Sequence, residues 1–120
     1  MEPIASLFQA FSDQTRLRIL NLLLRRAMCV CDITQVLEIP QPRASRHLSF
    51  LKRAGLVESM REAERVFYRL KSPPSGLARE LLETLRRHRR LVPGSQRDLG
   101  RFERLIRSGK VCRPQRGLWP

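Results

Sequence analysis

The sequence predicts a mainly helical α+β domain with one small β-hairpin, and three observations carry that expectation. Apolar residues recur at helical spacing through most of the first 55 positions. A proline-bounded break, Ile39-Pro40-Gln41-Pro42, separates two short helical segments. Two β-prone runs then flank the polar stretch Arg61-Glu62-Ala63-Glu64-Arg65.

The elements follow in order. Ile4, Leu7, Phe8 and Phe11 form one apolar helical stripe. Ser12-Asp13 offers an N-cap to a helix over 13–26, in which Leu17, Leu20 (or Ile19), Leu23 and Leu24 share a wide apolar face. Residues 27–30 read as an edge strand or an extended lead-in. Residues 31–38 read as a short helix with Ile33, Val36 and Leu37 inward and Asp32 at the positive end of its dipole. Pro42 suits the first turn of the next helix, over 42–55, where Ala44, Leu48 and Leu51 face the core and Gly55 stops it.

A helix, a tight break and a second helix whose outer face reads Arg43, Ser45, Arg46, His47, Ser49 and Arg53 fit a helix-turn-helix; by itself the pattern also fits a helical hairpin with a solvated basic face. The runs Leu56–Met60 and Val66–Leu70 add a wing, whose tip would set Arg61 and Arg65 against DNA phosphates. The fold class is therefore a winged helix-turn-helix. Residues 72–76 form a linker, Leu77–Leu85 a leucine-striped helix running into Arg86–Arg90, and residues 98–108 a last helix. The expected division is a DNA-binding and dimerisation domain over 1–92 and a basic, partly helical extension over 93–120 that carries Cys112.

The chain has 120 residues, enough for one domain, with a net charge of +13; 21 of its 24 basic residues are arginine. Residues 1–40 are neutral, residues 41–72 carry +5 and residues 73–120 carry +8. Such charge on a foldable domain points to a polyanion, nucleic acid before membrane. No apolar run approaches the ~20 residues of a membrane span, and Met1-Glu2-Pro3 lacks the basic start of a secretory signal, so a reducing, cytoplasmic setting is expected. An enzyme is not expected. There is no Gly-rich phosphate loop, and His47 and His88 sit on basic helical faces away from any nucleophile.

Three cysteines, Cys29, Cys31 and Cys112, make no even disulfide framework. In an extended segment the side chains of residues 29 and 31 point the same way, so two thiolates could converge on one soft ion. A helix N-terminus would lower their thiol pKa. The alternative is a pair of small buried hydrophobes packed under the helix.

The ordered motifs FSDQTRLRIL, CVCDI, IPQPRASRHLSFLKRAGLVE and REAERVFYRL resemble the arsenical-resistance repressor (ArsR/SmtB) family of winged-helix metal sensors, over residues 4–85. The resemblance implies a homodimer on operator DNA with an imperfect inverted repeat, released when a metal or metalloid binds. The Ile4–Phe11 and Leu77–Leu85 stripes would form its interface. It carries DNA contact to Gln41, Arg43, Ser45, Arg46 and His47, with Arg43 and Arg46 matched to guanine edges, while His47 could equally pack at the helix junction. It makes Cys29 and Cys31 ligands of arsenite or antimonite, As(III) or Sb(III). Thr34 stands where related sensors place a third cysteine, so a third thiolate would come from Cys112 of either subunit or from a cellular thiol.

Cadmium or lead, Cd(II) or Pb(II), is the alternative inducer, although no cysteine precedes residue 29 to complete a four-thiolate site. The family's zinc site is not expected, since His88 is the one suitable ligand available there. Two departures stand out. Gln14 replaces the proline of the family's Asp-Pro-Thr-Arg, and Ala63-Glu64 replaces a glycine and basic residue at the wing tip. A thiol-redox or persulfide switch pairing Cys29 or Cys31 with Cys112, and a non-regulatory basic RNA-binding or architectural protein, are the competing functions.

Overall fold

The computed structural model describes residues 3–72 and 76–114. Among these described residues are six α-helices and a three-stranded antiparallel sheet of order β1-β3-β2. Helix α1 (Pro3–Ala10) turns Leu7 and Ala10 inward and leaves Ile4 and Phe8 exposed, which splits the expected stripe into an inner and an outer edge. Helix α2 (Gln14–Leu23) begins where Asp13 accepts a hydrogen bond from the Arg16 backbone N–H at 3.0 Å. The short strand β1 (Met28–Cys29) lies at the sheet edge, pairing Met28 with Tyr68 and Cys29 with Phe67.

Helices α3 (Val30–Leu37) and α4 (Gln41–Arg53) form the helix-turn-helix. Glu38 ends α3 in a left-handed conformation, φ +56°, and Pro42 occupies the first turn of α4. Ala44, Leu48 and Leu51 of α4 are fully buried, as the heptad-like spacing predicts. Strands β2 (Val57–Glu62) and β3 (Arg65–Leu70) form the wing, joined by the two-residue turn Ala63-Glu64. Glu58 and Arg69 sit opposite one another in the register and pair at 2.7 Å.

Helix α5 (Gly76–Arg87) buries Ala78, Leu82 and Leu85, and a 3₁₀ turn over Arg89–Leu91 leads into α6 (Ser95–Ser108). Most of the expected 72–76 linker lies outside the described residues, as do residues 115–120 of the tail. The last helix starts three residues earlier than its apolar periodicity predicts, because Gly94 at φ +75° admits the turn that starts it. It packs on α2 and α3, and its Phe102 and Leu105 join the same hydrophobic core as Ile19, Leu20, Ile33 and Leu48.

None of the described helices is long and apolar enough to cross a membrane. Among the described residues, no buried side-chain polar atom lacks a hydrogen-bond partner.

Candidate functional site

Two sites take shape around the helix-turn-helix. The first is a thiol cluster at the start of α3. Cys29 leaves the sheet in an extended conformation and becomes the N-cap of α3, its Sγ accepting from the Asp32 backbone N–H at 3.3 Å. Cys31 already lies in the first helical turn. The expectation that the two side chains align along an extended strand therefore fails, because β1 ends at Cys29 and the helix begins one residue later. The thiols are gathered instead by the cap and by the chain leaving α6. The sulfurs of Cys29, Cys31 and Cys112 and a carboxylate oxygen of Asp32 all lie within 4.8 Å of one another.

Cys31 Sγ and Cys112 Sγ are 3.7 Å apart, and all three cysteines are free. The backbone N–H of Cys112 donates to Asp32 Oδ2 at 2.8 Å, which fixes the tail against the helix start. Thr34 points its hydroxyl back to the Cys31 carbonyl at 2.8 Å. The third sulfur of this cluster belongs to Cys112 of the same chain.

The electrostatics differ from expectation as well. Burial pushes the Cys29 thiol far up, with the neighbouring Cys31 thiol adding to the rise; the Asp32 backbone N–H only partly opposes it. Burial also raises Cys112. The helix N-terminus does not prevail for these thiols, since Cys29 is fully buried and Cys112 half-buried. Cys31 alone is exposed, and it opens onto a cleft of about 260 Å³ that also touches Gln41 and Ser45 of α4 and Arg65 of the wing. Arg65 sits beside Cys112 and Cys31, and these neighbours hold its guanidinium above its ordinary value.

The second site is the outward face of α4. Gln41, Arg43 and Arg46 are exposed, and Ser45 and His47 are half-buried. Arg43 Nη2 donates to Thr15 Oγ1 at 3.1 Å. His47 Nδ1 lies 3.3 Å from Arg16 Nη1 and 3.8 Å from Asp13 Oδ2. Burial lowers the imidazole pKa, with the charges of Arg16, Arg43 and Arg46 acting in the same direction against Asp13; a guanidinium can only donate, so Nδ1 is the acceptor in the contact with Arg16. Burial would raise the Asp13 carboxyl, but the Arg16 backbone N–H, the charge His47 carries once protonated at acid pH and the charge of Arg16 hold it below the usual carboxylate range.

Arg16 also donates to the Gln9 and Ala10 carbonyls at the end of α1 and sits 4.3 Å over the Phe50 ring. The Asp13-Gln14-Thr15-Arg16 motif is thus the frame that orients α4. At the wing, Arg61 and Arg65 are exposed and bracket the turn, and Lys52 Nζ donates to Ser59 Oγ at 2.7 Å, tying α4 to β2.

A third surface is apolar. Phe8, Phe11, Leu17, Leu81 and Leu91 line an open groove of about 350 Å³ between α1 and α5. Ile4 is 56% exposed, Phe8 52% and Leu91 78%.

Two contributors were not singled out from sequence: Asp32 as a member of the thiol cluster, and Asp98, whose buried carboxylate binds Arg18 from 80 positions away. The first had a local signal, an acidic residue beside Cys31. The second had none.

Residues 13–59 match the family described as bacterial regulatory protein, arsR family. The chain is 38% identical to the arsenical resistance operon repressor of Escherichia coli, over 88% of this chain and 92% of that protein. It is 48% identical to an uncharacterised HTH-type transcriptional regulator of Methanocaldococcus jannaschii, over 56% of this chain and 76% of the relative. Among solved structures, a homodimeric winged helix-turn-helix DNA-binding domain from Mycobacterium bovis superposes with a TM-score of 0.61 at 30% identity, covering 70% of this chain and 75% of that one.

Proposed function

Because this chain belongs to the ArsR family of bacterial regulatory proteins, we propose that it is a transcriptional repressor that binds operator DNA as a homodimer and is released by trivalent arsenic or antimony. The observation that carries the inducer assignment is the convergence of Cys29, Cys31 and Cys112 in one chain. Trivalent arsenic and antimony take three thiolates, and soft thiolate donors favour such ions over hard cations. Arsenite, as As(OH)₃, condenses with three thiols to give three As–S bonds and three waters. The chain's own part is to hold the sulfurs together: Cys29 at the cap, Cys31 in the first turn, and Cys112 pinned by Asp32.

The switch lies in α3. Its N-terminal turn is the thiol cluster, and its C-terminal end leads directly into the Ile39–Pro40 turn that sets α4. Drawing Cys31 and Cys112 toward the buried Cys29 sulfur moves the first turn of α3 and changes how Gln41, Arg43 and Arg46 are presented. By linkage, operator DNA then weakens inducer binding by the same factor. The groove between α1 and α5 supports the dimer, since it leaves Phe8 of α1 and Leu91 of the turn after α5 without cover beside the half-buried Leu81 of α5. Arg61 and Arg65 would meet the phosphate backbone from the wing.

A second reading, release by cadmium or lead, is favoured by one observation: the Asp32 carboxylate oxygen would supply a fourth, harder donor beside the three sulfurs. An operator-shift titration with arsenite, antimonite, cadmium, lead and zinc in parallel separates these readings. Release at the lowest concentration by arsenite or antimonite is expected. Release by zinc alone would overturn the assignment. A control with peroxide tests the redox alternative, in which Cys31 and Cys112 lose two electrons and two protons to form one S–S bond while the peroxide becomes two waters; release by peroxide but not by arsenite would favour it.

A further inference from the structure

Helix α6 lies along α3 and touches it at both ends. At one end, Arg18 binds Asp98 through two hydrogen bonds of 2.9 Å, and the same guanidinium donates to the Leu37 carbonyl at 2.8 Å. The Asp98 side chain is 4% exposed. One turn on, Arg101 Nη2 donates to Glu38 Oε1 at 2.8 Å and Arg101 Nη1 to the Val36 carbonyl at 3.5 Å. At the other end, Gly109 at φ +74° turns the chain off the helix, Val111 is buried, and the Cys112 N–H reaches Asp32. From Asp98 to Ser108 the helix runs about 15 Å, while α3 is about 12 Å long. The strap therefore spans α3 from its C-terminal carbonyls to its N-terminal cap.

We propose that Asp98 and Arg101 are positioning residues of the thiol site: by docking α6 on α3 they place Cys112 against Cys31, and they tie the thiol cluster to the turn that precedes the reading helix. The inference rests on the reading of the three cysteines as an inducer site. It adds that the third thiol is held by a buried ion pair outside the cluster, rather than found by a free tail. A flexibly tethered thiol meets its partners at an effective concentration set by its linker, whereas a docked one is delivered in place. Arg18 gives the pair a second role, since its guanidinium holds the end of α3 as well as Asp98.

The test is arsenite binding by full-length Asp98→Asn, Arg101→Gln, Cys112→Ser and the Asp98→Asn/Cys112→Ser double variant, with arsenic X-ray absorption to count bound sulfurs. Asp98→Asn is expected to weaken arsenite binding by about tenfold or more and to lower the sulfur count from three to two. Adding Cys112→Ser to it is expected to cost nothing further, the non-additivity that marks one shared function. Arg101→Gln is the fold-safe arm. Its nearer ionic partner Glu38 is 64% exposed and its contact with Asp98 is a long 3.7 Å, so the fold should persist while arsenite binding weakens by about two- to threefold, as suits one largely exposed ion pair.

If Cys112→Ser lowers affinity but both Asp98→Asn and Arg101→Gln bind three sulfurs at native affinity, the positioning role is wrong and the cysteine reading stands. If Cys112→Ser itself leaves affinity and sulfur count unchanged, the cysteine reading fails first. If Asp98→Asn unfolds, as thermal denaturation would show, Arg101→Gln alone decides: native affinity with three sulfurs overturns the proposal.

Discussion

Replacing Ala63 by glycine tests whether the wing carries the strain its backbone implies. Ala63 is the first of the two turn residues and holds φ +55°. An L-residue in that region costs ~1–2 kcal/mol relative to its right-handed conformation. A glycine there removes that cost but returns roughly 0.4–1 kcal/mol through the greater freedom of its unfolded chain. The net expectation is stabilisation of about 0.5–1 kcal/mol, a rise in Tm of roughly 2–5 °C for a domain of this size. Circular-dichroism melts of both proteins at one fixed concentration, so that dimerisation does not shift the comparison, measure it. An unchanged or lowered Tm would refute the assignment of strain to this turn. Adding Glu64→Lys extends the test to function. Where the wing meets phosphate, the slope of log affinity against log salt steepens by about one for each new contact; an unaltered slope places the wing tip off the DNA.

Three further outcomes are expected. Phe8→Glu puts a charge into the α1–α5 groove and should leave a monomer in sedimentation, with operator affinity down at least about tenfold; a persistent dimer would put the interface elsewhere. Because His47 titrates below its ordinary value of 6.5, the unfolded chain binds that proton more readily, so this contribution to stability is present above that pH and is lost as pH falls below it. His47→Gln should flatten the acid side of a Tm-against-pH curve, and identical curves for the two proteins would contradict the account. Burial raises the Cys29 and Cys112 thiols, so a divalent cation must displace their protons whereas arsenite sheds water. Cadmium affinity should therefore rise between pH 6 and 8 by up to about tenfold per unit for each proton displaced, with arsenite affinity nearly flat; a flat cadmium profile with arsenite affinity falling as pH rises would mean that the thiols are already ionised.

The helices and the wing were legible because each is written in local chemistry. Asp13 caps α2, Pro42 opens α4, and Ala44, Leu48 and Leu51 recur on one face. The cysteine pair was legible as a site but not in its geometry. Period-two alternation suggested aligned thiols, while the Asp32 N–H reaching Cys29 Sγ starts the helix one residue sooner and leaves Cys31 exposed. The direction of the thiol shift was missed for a related reason, since burial at Cys29 follows from its pairing with Phe67 across the sheet. The docking of α6 was not legible at all. Its anchor joins Arg18 to Asp98 and its far end joins Asp32 to Cys112, contacts between residues 80 positions apart that no periodicity reports. His47 carried both readings in the sequence, and Arg16 and Asp13 are what the fold brings against it.

The most direct test is operator release by arsenite from the Cys29→Ser/Cys31→Ser double variant, followed by fluorescence anisotropy beside the native chain. The account predicts that the variant binds operator with native affinity and stays bound at arsenite concentrations that fully release the native protein. Release of the variant at the native arsenite concentration would contradict it.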